Sequence, residues 1–362
     1  MIPRVRHMSL AACIAWAGVA CGGGDAPTSP TTPAPSPPRA VVVAATSDMG
    51  ALTMPSTVLG RDGGAGAIVG GQVVWAFGDT FITTHAADGS YYRTNTASAA
   101  PVINPTAAVD ALDSKGVPLP MVAFTAVEQA YNDSTGDPSN RIAIWPSHII
   151  SNADGSGTVL FINLYIRPGF NLQGIGIGTA HLAPSSTIAV RNAGLLFPFP
   201  EPSFEDGGEA GGYVYLYGNL RSVSQTAYAV ARAPLDQATT RSAYRFWDGA
   251  TWNADVTRAA KVVDVPGSPT LSYNAYIGGY ILVHSALFSN DIVLHTASSP
   301  QGPWSAPVTI ATGLLPASGN FDYVAREQPE LSSNNGQTIV VSYSRPLGNF
   351  RGEVRLMQVA FK

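Results

Sequence analysis

Five times along this chain a turn containing glycine is followed at once by a run of apolar and aromatic residues. The copies are Gly70-Gly71-Gln72-Val73-Val74-Trp75-Ala76-Phe77, Gly155-Ser156-Gly157-Thr158-Val159-Leu160-Phe161-Ile162 and Gly211-Gly212-Tyr213-Val214-Tyr215-Leu216-Tyr217-Gly218. The last two are Gly278-Gly279-Tyr280-Ile281-Leu282-Val283-His284 and Asn335-Gly336-Gln337-Thr338-Ile339-Val340-Val341-Ser342-Tyr343. Short runs rich in β-branched and aromatic side chains, opened by glycine turns, read as buried strands. Counted from the last glycine before each run, the intervals are 86, 55, 67 and 57 residues. Most copies are followed by a second strand that alternates more clearly, as in Thr226–Arg232, Asp291–Ala297 and Glu353–Phe361.

A strand-turn-strand unit recurring every ~40 to 60 residues is the mark of a β-propeller. Each unit exposes apolar faces that only its neighbours can cover, so the array must close. The expected fold is therefore all-β, a five-bladed β-propeller spanning residues 40–362 as one domain. A β-sandwich with irregular hairpins gives no reason for one element at blade-sized intervals. No segment shows sustained helical periodicity. The longest interval holds an insertion around Pro101 to Asn140, expected to form a loop wall over one face.

The ends read differently. Arg4 and Arg6 precede an almost entirely apolar or small stretch, Met8 to Ala20, and Gly18-Val19-Ala20-Cys21 fits a lipoprotein signal-peptidase site. Residues 1–21 are expected to be a signal peptide with Cys21 lipidated, and the apolar run is too short for a spanning helix. Residues 22–39, rich in Gly, Pro, Ser and Thr, cannot bury a core and read as a disordered tether. The expected location is the cell envelope, as an outer-membrane or cell-surface lipoprotein whose only membrane contact is the lipid anchor. Both cysteines, Cys13 and Cys21, lie in this leader. The folded part can therefore hold neither disulfides nor thiolate metal sites. The formal charge is −4, only 12% of residues are charged, and no basic cluster occurs. Nucleic acid is excluded as an expected partner.

Acids gather where the chemistry is expected. Asp79 follows an apolar strand in Phe77-Gly78-Asp79-Thr80-Phe81, and Asp62 sits in the glycine-rich Arg61-Asp62-Gly63-Gly64, read as a loop. An arginine beside a carboxylate lowers its pKa and an apolar wall raises it. Two acids in unlike settings suit glycosidic bond cleavage. The bland alternative is two turns whose carboxylates cap backbone amides. Asp48, Arg61, Trp145, His148, Glu201, Asn274, Glu327 and Glu330 are candidate substrate-binding residues, most of them because they lie just before a repeated strand. For Glu327, beside Arg326, a rim salt bridge competes with that role, and for Trp145 so does packing under a loop. His181, His284 and His295 show no metal-ligand spacing, and no phosphate loop, dinucleotide fingerprint or nucleophile elbow occurs. No cofactor and no metal is expected. Trp304, in Pro300-Gln301-Gly302-Pro303-Trp304, is expected to staple two strands together.

Several of these elements together resemble a bacterial family of endo-D-arabinanases once grouped as a domain of unknown function. They are Thr46-Ser47-Asp48-Met49-Gly50, Arg61-Asp62-Gly63-Gly64, Phe77-Gly78-Asp79-Thr80-Phe81, Ser299-Pro300-Gln301-Gly302-Pro303-Trp304 and Glu327-Gln328-Pro329-Glu330-Leu331. The resemblance implies a five-bladed propeller that hydrolyses furanosyl linkages in arabinan. It also implies an aspartate pair as nucleophile and acid/base, falling on Asp62 and Asp79. Two positions depart from it: Gly66 stands where serine is expected and Gln328 where histidine is expected. Two functions follow. One is a glycosidase acting on an arabinan-like polysaccharide through two carboxylates, and the other is a non-catalytic carbohydrate-binding propeller.

Overall fold

The computed structural model describes residues 37–220, 226–317 and 319–362. The proposed leader, Cys21 and the tether up to residue 36 lie outside the described residues. Among the described residues the chain is mostly strand, arranged as four hydrogen-bonded sheets. The largest has nine strands and is joined across one parallel bridge, Gly60 to Gly352. On either side of that bridge stand two antiparallel groups, so five such groups follow one another along the chain.

Each group opens with an inner strand: Val58–Val69, Arg141–Ser151, Ser203–Ala210, Thr270–Asn274 and Tyr323–Glu327. A second strand follows each: Gln72–Ile82, Gly157–Arg167, Tyr213–Asn219, Gly279–Ser285 and Thr338–Gly348. These second strands are the five repeated runs of the sequence. A third strand completes each hairpin series, and in the last group it is Arg351–Phe361, which also pairs with the N-terminal Val43–Ala51.

The second strands read as unbroken apolar runs because both faces are covered. Val74 and Ala76 belong to a core with Ile144, Val159 and Phe161 of the second group. Their neighbours Val73, Trp75 and Phe77 point the other way, into a core with Val340, Val354 and Leu356 of the last group. The alternation of a strand thus feeds two cores at once. The same pattern continues with Leu160 and Leu216, with Tyr217 and Leu282, and with Val283 and Val341. Trp304 packs in the second of these, edge-on to Tyr217 at 6.4 Å.

The inner strands lie against one another in chain order, and the first also lies against the last. Their closeness explains their glycines. A Cβ on Gly208 would come within 1.9 Å of the Leu271 carbonyl oxygen of the next inner strand. Any larger residue would force those backbones apart.

Two expectations need correcting. Arg61-Asp62-Gly63-Gly64 is not a loop but the middle of an inner strand. The insertion is not all loop either, since Ala126–Thr135 is a helix. Its Thr125 side chain accepts from the Glu128 N–H while the Glu128 carboxylate accepts from the Thr125 N–H, a capping box. The pattern Thr125-x-x-Glu128 carried that signal, and the absence of an apolar stripe hid it.

Candidate functional site

Asp62 and Asp79 line one cavity of about 280 Å³, together with Phe81, Asn320, Tyr323 and Phe350. The local pairing explains how they meet. Arg61 stands opposite Thr80 and Gly63 opposite Phe77, so the single residue Asp62 faces Gly78 and Asp79 across a bulge. Gly63 takes a φ of 96°, which favours glycine. Alternation sends Arg61 and Thr80 to the opposite face, where both are buried.

The two carboxyls have unlike surroundings. The Tyr323 hydroxyl donates to Asp62 Oδ2 at 2.8 Å. Burial chiefly, and then the charge of Asp79, push the Asp62 carboxyl up to about 7 against the pull of that hydrogen bond. Asp79 accepts from Arg141 Nη2 and from Trp145 Nε1, each at 3.2 Å. Burial raises this carboxyl too, while the Arg141 charge and the two donors hold it down. Arg141 is fixed in turn over the Tyr92 ring, 4.5 Å from its centroid. Burial thus raises both carboxyls, Asp62 to about 7, and only Asp79 has a cation beside it.

The remaining candidates divide into three sets. Trp145 joins the aspartate cavity through Asp79. His148, Glu327 and Glu330 instead line a second cavity of about 300 Å³, to which all five inner strands contribute. There His148 Nε2 lies 2.8 Å from Glu209. Glu327 accepts from Ser272 Oγ at 2.7 Å, and burial brings its carboxyl to about 7. Glu330 accepts from Ser151 Oγ and the Ile68 N–H, and burial raises it. Arg326 pairs with Asp206 rather than with its neighbour Glu327.

Four candidates stand apart from both cavities or are closed to ligand. Arg61 does not modulate Asp62. Its side chain has no exposure, pairs with Asp110 at 2.6 Å and stacks 3.7 Å over Phe77. Asp48 lies on the outer strand Val43–Ala51 and pairs with Arg355, which lowers its pKa. Glu201 pairs with Arg241 at 2.8 Å outside either cavity. Asn274 is buried, bonding the Gly336 carbonyl and the Ile277 N–H. Glu201 and Asn274 sit before a repeated strand, but that position fixes neither the face nor the end a side chain points to.

The sequence reading missed Tyr323, Arg141 and Glu205. Burial and the neighbouring Asp206 charge bring Glu205 to about 8. A signal for its strand existed: Asp206-Gly207-Gly208 repeats Asp62-Gly63-Gly64. The two departures from the resembled family prove to be one contact. Gln328 Oε1 accepts from the Gly66 N–H at 3.1 Å, and its Nε2 donates to the Gly64 carbonyl at 3.1 Å and to Ser342 Oγ at 2.8 Å. A Cβ on Gly66 would lie 2.7 Å from Gln328 Oε1 and 2.5 Å from the Trp75 ring. Both residues line the second cavity and not that of Asp62.

The family model of a domain of unknown function, DUF4185, matches residues 199–344. That stretch covers the third and fourth groups of strands and only the start of the fifth, and leaves Asp62 and Asp79 outside. No curated protein matches the chain. Among solved structures, a Bacteroides ovatus protein described provisionally as a hydrolase aligns with a TM-score of 0.60 at 15% identity, covering 84% of this chain and 87% of that one. The exo-β-1,3-galactanase of Phanerochaete chrysosporium, in complex with β-1,3-galactotriose, aligns with a TM-score of 0.51 at 13% identity. That match covers 86% of this chain and 64% of the galactanase. These likenesses establish a mostly β fold shared with the Bacteroides protein and the galactanase.

Proposed function

We propose that this chain is a five-bladed β-propeller glycoside hydrolase that cleaves furanosyl linkages in an arabinan-like polysaccharide. Closure of the five groups into a ring is supported by the core shared between the first and last of them, and by the cavity to which all five inner strands contribute. The observation that carries the hydrolytic reading is the pair Asp62 and Asp79, side by side in one cavity with opposed settings. Asp62, protonated, gives its proton to the leaving glycosidic oxygen. Asp79, ionised against Arg141, attacks the anomeric carbon or takes a proton from the attacking water. Tyr323 holds Asp62 in place, and Trp145 and Arg141 orient Asp79.

The furanosyl substrate rests on the resemblance carried by the aspartate motifs. The envelope location and the lipid anchor at Cys21 rest on the leader sequence. The net negative charge favours a neutral polysaccharide over nucleic acid as partner. A carbohydrate-binding propeller without turnover is the second reading, motivated by Gly66 and Gln328. Their distance from the aspartate cavity makes it the weaker one. Incubation of the purified protein with a polysaccharide panel, read by product chromatography, separates the two. New reducing ends from an arabinan support hydrolysis, whereas saturable binding without new ends supports the binder.

A further inference from the structure

A cavity larger than the one that holds the acids lies beside it. A groove of about 790 Å³ runs between the segment Asp88–Asn95 and the helix Ala126–Thr135. Ligand sites span about 300–1,000 Å³, and the aspartate cavity alone sits at the lower edge of that range. The groove begins where the acids end. Arg141, which holds Asp79, lines it, and so does Tyr92, whose ring lies beneath the same guanidinium.

Its walls have the makings of a glycan track. Tyr91 is 45% exposed, and its ring lies 5.6 Å from Tyr92 and 6.3 Å from His85, an aromatic platform open to the groove. Gln129 of the helix supplies an amide on the far side, whereas the Asn132 amide is committed to the Ile142 backbone. That wall is rigid, because Glu128 ties the helix to Arg191 at 2.6 Å and to Asn163 at 2.5 Å. A wall fixed in advance lowers the ordering cost of binding. The charges select the kind of glycan. Arg93 is paired with Asp88 and Asp113, and Arg141 with Asp79. Asp133 and Asp137 have no cationic partner among the described residues. Carboxylates without a counter-charge accept from sugar hydroxyls but repel anionic units.

We propose that this groove is a distal subsite for several units of an uncharged glycan chain whose scissile linkage lies at Asp62 and Asp79. The placement of the linkage rests on the hydrolase reading, while the groove's affinity for neutral glycan does not. The test measures kcat/KM on neutral arabinofuranosyl oligosaccharides of two to eight units for the wild type and Tyr91→Ala. The expected result is that the variant loses about tenfold on the longest chains, a step of one decade in the binding constant, and less than twofold on the disaccharide. Tyr91→Phe restores the dependence on chain length. Equal losses at all lengths, or none, overturn the proposal. Should the wild type cleave none of them, the hydrolase reading fails by itself. Native gels cast with neutral or carboxymethylated polysaccharide then decide the groove. Retardation by the neutral polymer alone, lost in Tyr91→Ala, supports it. No retardation of the wild type, or retardation independent of Tyr91, overturns it.

Discussion

Arg61 and Asp62 are adjacent in sequence, yet they act on opposite sides of one strand. The arginine closes a dry ion pair with Asp110, while the aspartate faces the cavity. Removing one partner of a buried pair strands the other charge, so Arg61→Ala should destabilise the fold by about 3–5 kcal/mol. Chemical denaturation checks this, and a loss under ~1 kcal/mol would show that the pair is not dry. Tyr323 bears on chemistry rather than on folding. Its hydrogen bond favours the ionised form of Asp62, so Tyr323→Phe raises the Asp62 pKa above about 7. If Asp62 is the general acid, the alkaline limb of the pH-rate profile moves to higher pH in that variant. A limb that stays in place would remove Asp62 from the acid role. The sequence made the two aspartates visible through their motifs. It could not show that Arg141 and Tyr323 complete them, because these partners come from the second and fifth inner strands, 62 and 261 residues away.

Among the elements, the second strands were legible and the inner strands were not. Val73–Phe77 announces itself because packing on both faces demands large apolar side chains. Val58–Val69 and Ser203–Ala210 are built from glycine, acids and small residues, because their backbones crowd together and line polar cavities. Such strands read as loops by any propensity scale, since glycine and aspartate are depleted in strands. The helix Ala126–Thr135 was hidden for another reason: its outer face is polar, and Glu128 holds it by ion pairing instead of an apolar stripe. The contact of Gly66 with Gln328 and Trp75 gives a prediction at this scale. Gly66→Ser, although it restores the residue expected from the resembled family, should cost about 1–3 kcal/mol through overpacking. Thermal unfolding of the variant measures it, and an unchanged melting point would mean that Gln328 has room to move.

Across the whole molecule, several carboxyls are held above their ordinary pKa by burial. Asp62, Asp322 and Glu327 sit near 7, and Glu205 near 8. The folded state binds these protons more tightly than the unfolded chain does. Their stabilising contribution is complete below about pH 4 and is lost as pH rises through 7 to 8. The melting temperature should therefore fall between pH 5 and pH 9, and Glu327→Gln should flatten that fall. A melting point that climbs over this range would show that other groups dominate. The direct test of the two-aspartate account is turnover of arabinan by Asp79→Asn, with thermal unfolding recorded in parallel. The account predicts loss of hydrolysis in a variant that still unfolds cooperatively, at a lower temperature because Arg141 loses its counter-charge. A folded variant that still cleaves at the wild-type rate would contradict it.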